Sequence, residues 1–303
     1  LLPFPLLYSD HYNLDLGDHV FPARKYRMIR ARLLADGVAS ESDFLEPEPA
    51  SLDDLLLAHD VLWIDKLRLG RLSLAEAMRL EVPVSDPMLE GLWRMTGGSI
   101  LAGRHALHHG VGFNLGGGFH HAFRGHGEGF CAINDVAVAI HRLLADGAIR
   151  RALVVDCDVH HGNGTASIFA GDANVFTFSI HQKNNYPAVK PPSTLDVDLD
   201  DLTCDAEYLA RLEQALDRIL ASFTPDVVYY LAGADPFAED QLGGLLLTKD
   251  GLARRDRMVF EKTAGIPVAV TLAGGYAHRT ADTVEIHCNT VREAARRFLL
   301  TPA

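Results

Sequence analysis

The 303-residue chain has only four cysteines, Cys131, Cys157, Cys204 and Cys288, scattered and without a CxxC pair. That excludes a disulfide framework and a structural zinc ribbon, and it predicts reduced, mostly buried thiols in a cytoplasmic protein. No run of about 18 consecutive apolar residues occurs, so no segment is expected to span a bilayer. The apolar opening LLPFPLLYSD has no basic stretch ahead of it and carries two prolines, which argues against a secretory signal. Positive charge is short as well. Lys plus Arg is 28 against 40 for Asp plus Glu, a formal net charge of −12. This balance opposes a nucleic-acid footprint, which needs a basic stripe, and opposes anionic membrane surfaces. Low-complexity tracts, repeats and clear linkers are missing too. The most loop-like stretch, EPEPASLDD at 46–54, is too short to divide the chain. What is present is 48% apolar and 22% charged residues, enough to bury a real core, so one domain over 1–303 is expected.

Short β-branched runs alternate with longer segments of helical spacing. The runs 111–115, 152–160, 175–181, 226–232 and 268–272 read as strands, and 135–146, 206–223, 252–264 and 284–299 as helices. VVYYL and VAVTL are continuously apolar, as parallel strands covered on both faces are. ADG at 145–147 and HHG at 108–110 look like helix ends closed by glycine. The fold class is therefore α/β, an open, mostly parallel sheet flanked by helices. In such sheets ligands sit beyond the carboxyl ends of the strands. The residues there, 116–121, 156–161, 181, 233–235 and 273–276, are rich in His, Asp, Gly and Tyr.

In ALVVDCDVHHGNG, residues 152–164, alternation along a strand places Asp156, Asp158 and His160 on one face. Two carboxylates and an imidazole at the end of a buried strand are costly unless a cation compensates them. Asp158, His160 and Asp235 from LAGADP would give zinc three protein ligands and leave a position open, the pattern of a catalytic site. Taken alone, DxDxH also fits a solvated acidic loop, the less favoured reading. In NLGGGFHHAF, residues 114–123, glycine freedom lets His120 and His121 both border the pocket as proton-transfer groups. His108 and His109, at a helix end, receive no role. GGG lacks the spacing of a phosphate cradle. Tyr276, after two glycines in TLAGGYAHRT, can donate to an oxyanion, although Tyr after Gly is also common in turns.

Taken in order, GGGFHHA at 116–122, GEGFCAINDVAVAI at 127–140, VVDCDVHHGNG at 154–164, FSIH at 178–181, GAD at 233–235 with DQLGGL at 240–245, and LAGGY at 272–276 resemble the histone deacetylase family of the arginase/deacetylase fold. AHDVLWIDKL resembles an early helix of that family. HVFPARKY, HHGNG, AEDQLGGL, RRDRMVF and GGYAHRT look most like the class IV (histone deacetylase 11-like) branch, in a compact bacterial form. The resemblance implies that Asp158, His160 and Asp235 bind zinc, that Asp156 orients His120, and that Tyr276 polarises the amide carbonyl. It implies a potassium site at Asp156, Asp158, His160, Ser179 and Ile180, and a second at Phe169, Asp172 and Val175. Gly129 and Phe130 would line an acyl-lysine tunnel, with Tyr186 from NNYP opposite. One departure is Asn163, where class I relatives have Asp. An amide oxygen still fixes the tautomer of His121 but adds no charge, so His121 should stay neutral near pH 7 and act as general base.

The expected activity is zinc-dependent removal of acyl groups, acetyl or long-chain, from lysine side chains or related amines. Rivals are an acetylpolyamine amidohydrolase and a non-catalytic binding protein on the same fold. A two-manganese arginase-type site is disfavoured, because His161, Gly162 and Asn163 follow His160 where further carboxylates would be needed.

Overall fold

The structure is a computed structural model that describes residues 2–299. Its centre is one eight-stranded sheet with all pairings parallel. The strands are β1 (Leu6–Leu7), β2 (Phe44–Leu45), β3 (Val111–Asn114), β4 (Ala152–Asp156), β5 (Val175–Gln182), β6 (Leu195–Leu199), β7 (Val227–Leu231) and β8 (Val268–Thr271). Across the sheet they run β2-β1-β3-β8-β7-β4-β5-β6. The helices are α1 (Lys25–Ala35), α2 (Leu52–Ala58), α3 (Val61–Arg68), α4 (Leu74–Leu80), α5 (Asp86–His109), α6 (Asp135–Ala145), α7 (Asn163–Ile168), α8 (Asp205–Ser222), α9 (Lys249–Lys262) and α10 (Thr280–Leu299).

Two adjacent tyrosines on β7 show why the central strands are apolar throughout. Successive side chains on a strand point to opposite faces. Tyr229 donates to the carbonyl of Ser99 on α5 at 3.2 Å, whereas Tyr230 donates to Asp256 on α9 at 2.5 Å. Helices therefore cover both faces, and β3, β4, β7 and β8 are buried along their whole lengths. Local signals set the helix ends. Ser85 accepts from the Met88 amide to start α5, and Gly110, at φ +82°, closes it.

The expected central strands and helices are present within a few residues, and α3 begins in AHDVLWIDKL and ends one residue past it. One expectation is corrected. The strand predicted for 152–160 stops at Asp156, so Asp158 and His160 lie in a loop and not on a strand face. Side-chain turns shape that loop instead. The Asp158 amide donates to Asp156 Oδ1, and the His160 amide to Asp158 Oδ1, both at 3.1 Å. Each carboxylate thus folds the backbone that carries the next group. Of the cysteines, Cys131, Cys157 and Cys288 are buried, Cys204 is exposed and all four are free. Among the described residues no helix is long and apolar enough to cross a membrane.

Candidate metal centre and tunnel

The loops after β4 and β7 meet because those strands are neighbours. Asp158, His160 and Asp235 each offer a ligand atom within 4.8 Å of the others, and all three are buried. His160 Nδ1 lies 3.1 Å from Asp158 Oδ1 and 3.5 Å from Asp235 Oδ2. The backbone orients both carboxylates: Gly274 N–H donates to Asp158 Oδ2 at 2.9 Å, and Val159 N–H to Asp235 Oδ1 at 2.8 Å. Asp235 Oδ2 has no hydrogen-bond partner among the described residues, despite complete burial. Burial and the neighbouring Asp158 push the Asp235 carboxyl up to about 7. Burial opposes charge on His160, but Asp158 and Asp235 outweigh it and raise the imidazole to about 10. Asp235 and His160 cling to protons while Asp158 is held ionised, and a divalent cation, which would displace those protons, fits such a set.

Arg255 holds the two loops together from behind. It is fully buried on α9, and its Nη1 donates to the carbonyls of Gly233 at 2.6 Å and Cys157 at 3.3 Å. Its charge is met by Asp256 at 2.8 Å.

Beside the cluster the rings of His120 and His121 lie 4.1 Å apart, on the Gly116–Gly118 turn. Gly117 and Gly118, at φ +81° and +84°, permit this turn, and the Gly118 and Phe119 amides donate to buried Asp135. The two imidazoles are held differently. His120 Nδ1 meets Asp156 Oδ2 at 2.7 Å. Burial disfavours its charge, yet Asp156 and Asp158 prevail and lift it to about 9. His121 Nδ1 meets Asn163 Oδ1, also at 2.7 Å. Here burial, followed by His120 and His160, holds the imidazole well below its ordinary value. The Asn163 amide is itself fixed, since its Nδ2 donates to Glu128 Oε1. Glu128 also accepts from Tyr186 Oη at 3.2 Å and faces His126 at 3.4 Å.

Tyr276 leaves β8 on a loop pinned by DQLGGL. Its amide donates to Asp240 Oδ2 at 2.6 Å, and Gln241 Nε2 donates to its carbonyl at 2.8 Å. Burial, with Asp158 and Asp235 nearby, keeps the phenol well above its ordinary value, so Tyr276 is a neutral donor. A pocket of about 170 Å³ opens above the cluster, bordered by His121, Gly129, Phe130, His160, Tyr186 and Tyr276. Tyr186 stands edge-on to His121 at 4.9 Å, and Phe130 edge-on to Tyr276 at 6.0 Å.

All the residues named from the sequence for zinc, proton transfer and the tunnel therefore converge. Ser179 and Ile180 lie on β5, where Ser179 pairs with Asp156 in register. Phe169, Asp172 and Val175 form one tight turn, with the Asp172 amide on the Phe169 carbonyl and the Val175 amide on the Asp172 carbonyl. Sequence reasoning missed Glu128, Arg255 and Lys25. Buried Lys25 donates to the Ala273 carbonyl at 2.8 Å, steadying Ala273 at φ +50° just before Gly274. The sequence signal for Lys25 and Arg255 was a basic residue inside the quoted segments HVFPARKY and RRDRMVF. Glu128 had none.

These features can be set against known proteins. A histone deacetylase domain model matches residues 19–291. An uncharacterized protein of Picosynechococcus is 38% identical over 97% of this chain and 98% of its own. Histone deacetylase 2 of Arabidopsis thaliana is 31% identical over 92% of this chain and 77% of its length. The crystal structure of an HDAC homolog from Aquifex aeolicus superposes with a TM-score of 0.83 at 25% identity, covering 97% of this chain and 84% of that one. The chain belongs to the histone deacetylase family and is a hydrolase of the deacetylase type.

Proposed function

We propose that the protein is a zinc-dependent deacylase that hydrolyses acyl-lysine amides. The observation that carries this reading is the unpartnered, buried Asp235 Oδ2 facing His160 and Asp158, next to two imidazoles and a neutral phenol. Zinc held by Asp158, His160 and Asp235 would supply Lewis acidity toward an amide carbonyl and lower the pKa of water. The remaining steps belong to side chains. With its Nδ1–H donated to Asn163, His121 presents the Nε2 lone pair and takes a proton from the attacking water. The Tyr276 hydroxyl donates to the oxyanion as the carbonyl becomes tetrahedral. The charged His121 then gives its proton to the departing lysine nitrogen, while His120 stays oriented by Asp156. Gly129, Phe130 and Tyr186 would flank the extended lysine stem. A potassium ion near Ser179, Ile180 and the Asp156–His160 loop, and another at the 169–175 turn, belong to this proposal, as does the class IV likeness of HVFPARKY and HHGNG.

A small acylated amine is the second reading. Glu81 borders the pocket from an exposed position, where a carboxylate would attract a second cationic nitrogen. The test is a panel of lysine peptides acylated from acetyl to myristoyl, with an acetylated polyamine, read as rate per bound zinc before and after chelation. Turnover that persists after complete zinc removal refutes the proposal. A preference for the polyamine selects the second reading.

A further inference from the structure

A second group of side chains of metal-ligating type lies outside the site described above. His161, His181 and Asp196 each place a ligand atom within 4.8 Å of the other two, and none of them faces the tunnel. His161 follows His160 in the loop after β4 but turns the other way, with its ring edge-on to that of His181 at 4.6 Å. His181 is on β5 and Asp196 on the edge strand β6. Both imidazoles are at most 1% exposed.

The group is oriented, and two of its atoms are unsatisfied; the third, His161 Nε2, has Ser193 Oγ at 3.4 Å. The Asp196 carboxylate is fixed through Oδ2, which accepts from the Ser193 amide at 2.9 Å. Its Oδ1 lies 3.2 Å from His161 Nε2, yet it is buried and makes no hydrogen bond. His181 Nδ1 is taken by Ser179 Oγ at 3.0 Å, so Nε2 is the nitrogen left over. That Nε2 is also buried without a hydrogen-bond partner among the described residues, and Asp198 Oδ1 stands 3.1 Å from it. Buried polar atoms left unpaired are costly. Unpaired acceptors that converge from β5 and β6 beside the His161 ring are what a cation rewards. Two imidazoles with a carboxylate, and a second carboxylate within reach, suit a late first-row divalent ion. Bonds of about 2.0–2.1 Å set tetrahedral ligands roughly 3.4 Å apart, so movements on the order of 1 Å close the set. The hydroxyl behind His181 and the amide behind Asp196 are the kind of outer support that orients metal ligands.

We infer that His161, His181 and Asp196 form a second divalent-cation site of the zinc type, separate from the Asp158–His160–Asp235 cluster. Such an ion would tie the loop after β4 to β5 and β6. The segment carrying Tyr186 starts after Gln182 and ends at Leu195, so both its ends would be anchored by this ion.

The test is metal stoichiometry on the full chain, dialysed against Zn2+ and then metal-free buffer and read by elemental analysis. Wild type is expected to hold two zinc ions, Asp196→Asn one and Asp235→Asn one. Asparagine keeps the shape of Asp196, which lies partly at the surface. One ion in wild type, or two in Asp196→Asn, overturns the inference. The wild-type count alone decides the matter if the Asp196 variant fails to fold. Because each variant empties a different site, loss of zinc in Asp235→Asn with none in Asp196→Asn leaves the deacylase reading standing and removes only this one. Replacement by Co2+ supplies a second readout, since two sites of different ligand sets should give two absorption envelopes and Asp196→Asn should erase one.

Discussion

If Asn163 keeps His121 neutral, a carboxylate in its place should move the acid limb of the rate profile. Asn163→Asp preserves the shape of a group 2.7 Å from His121 Nδ1 and adds a charge. Taking about 4 Å between imidazolium and carboxylate centres and an effective dielectric of about 20, the attraction is roughly 4 kcal/mol, or about 3 pKa units at most. Glu128 decides how much of this appears. Its Oε1 accepts from the very Asn163 nitrogen that the substitution turns into oxygen. Two carboxylates in contact cannot both ionise cheaply, so the pair would share a proton and blunt the effect. When Asn163→Asp is combined with Glu128→Gln, the new amide can donate to the introduced carboxylate and the full shift should emerge. A general base must be unprotonated, so raising its pKa moves the acid limb of kcat/KM to higher pH and slows the reaction near neutrality. We expect an upward shift of about 1 unit for the single variant and about 2–3 units for the double. The assay is kcat/KM for an acetyl-lysine peptide against pH, with zinc content measured in parallel. Acid limbs that coincide with wild type in both variants, at full zinc loading, would refute the argument.

Other substitutions separate metal binding, chemistry and stability. Tyr276→Phe should lower kcat by about 10²–10³ with zinc content unchanged, as measured by turnover and elemental analysis on the same sample. Gly274→Ala would drive a methyl group into Asp235 Oδ2 and Asp158 Oδ2. Its φ lies outside the left-handed range, so zinc should be lost while the thermal unfolding transition stays cooperative. Arg255→Met strips the buried countercharge from Asp256 and frees the Gly233 and Cys157 carbonyls. It should cost about 3–5 kcal/mol in urea unfolding, because one half of a buried ion pair is left behind.

The buried strands and the residues at their ends were legible because both signals are local. VVYYL and VAVTL announce themselves by composition, and HHGNG or LAGGY by type and order. The short strands β1 and β2 were not legible: two residues carry no periodicity, and Leu6–Leu7 becomes a strand only by pairing with Phe113–Asn114 and Phe44–Leu45. The strand predicted through His160 failed for a related reason. Alternation of Asp, Val and His imitates a pleat, but carboxylates that bond the amide two residues onward turn the chain out of the sheet. The contact of Glu128 with Asn163 was invisible because the two lie on different elements, and no spacing rule links them. Edge strand β6, LDVDL, was not among the predicted strands: it alternates, but Asp196 and Asp198 gain a sheet partner only when seen opposite Ser179 and His181.

The order of strands in the sheet has a consequence for biogenesis. Asp158 and His160 leave the ribosome well before Asp235, with β5, β6 and α8 synthesised in between, and they gain their third companion only when β7 slots between β4 and β8. Two ligands on an unfolded loop hold an ion poorly, so a zinc ion bound as proposed would not nucleate this architecture; it would be captured by a sheet already assembled. Under metal starvation the expected product is an intact, idle molecule awaiting its ion, recoverable without passing again through the unfolded chain.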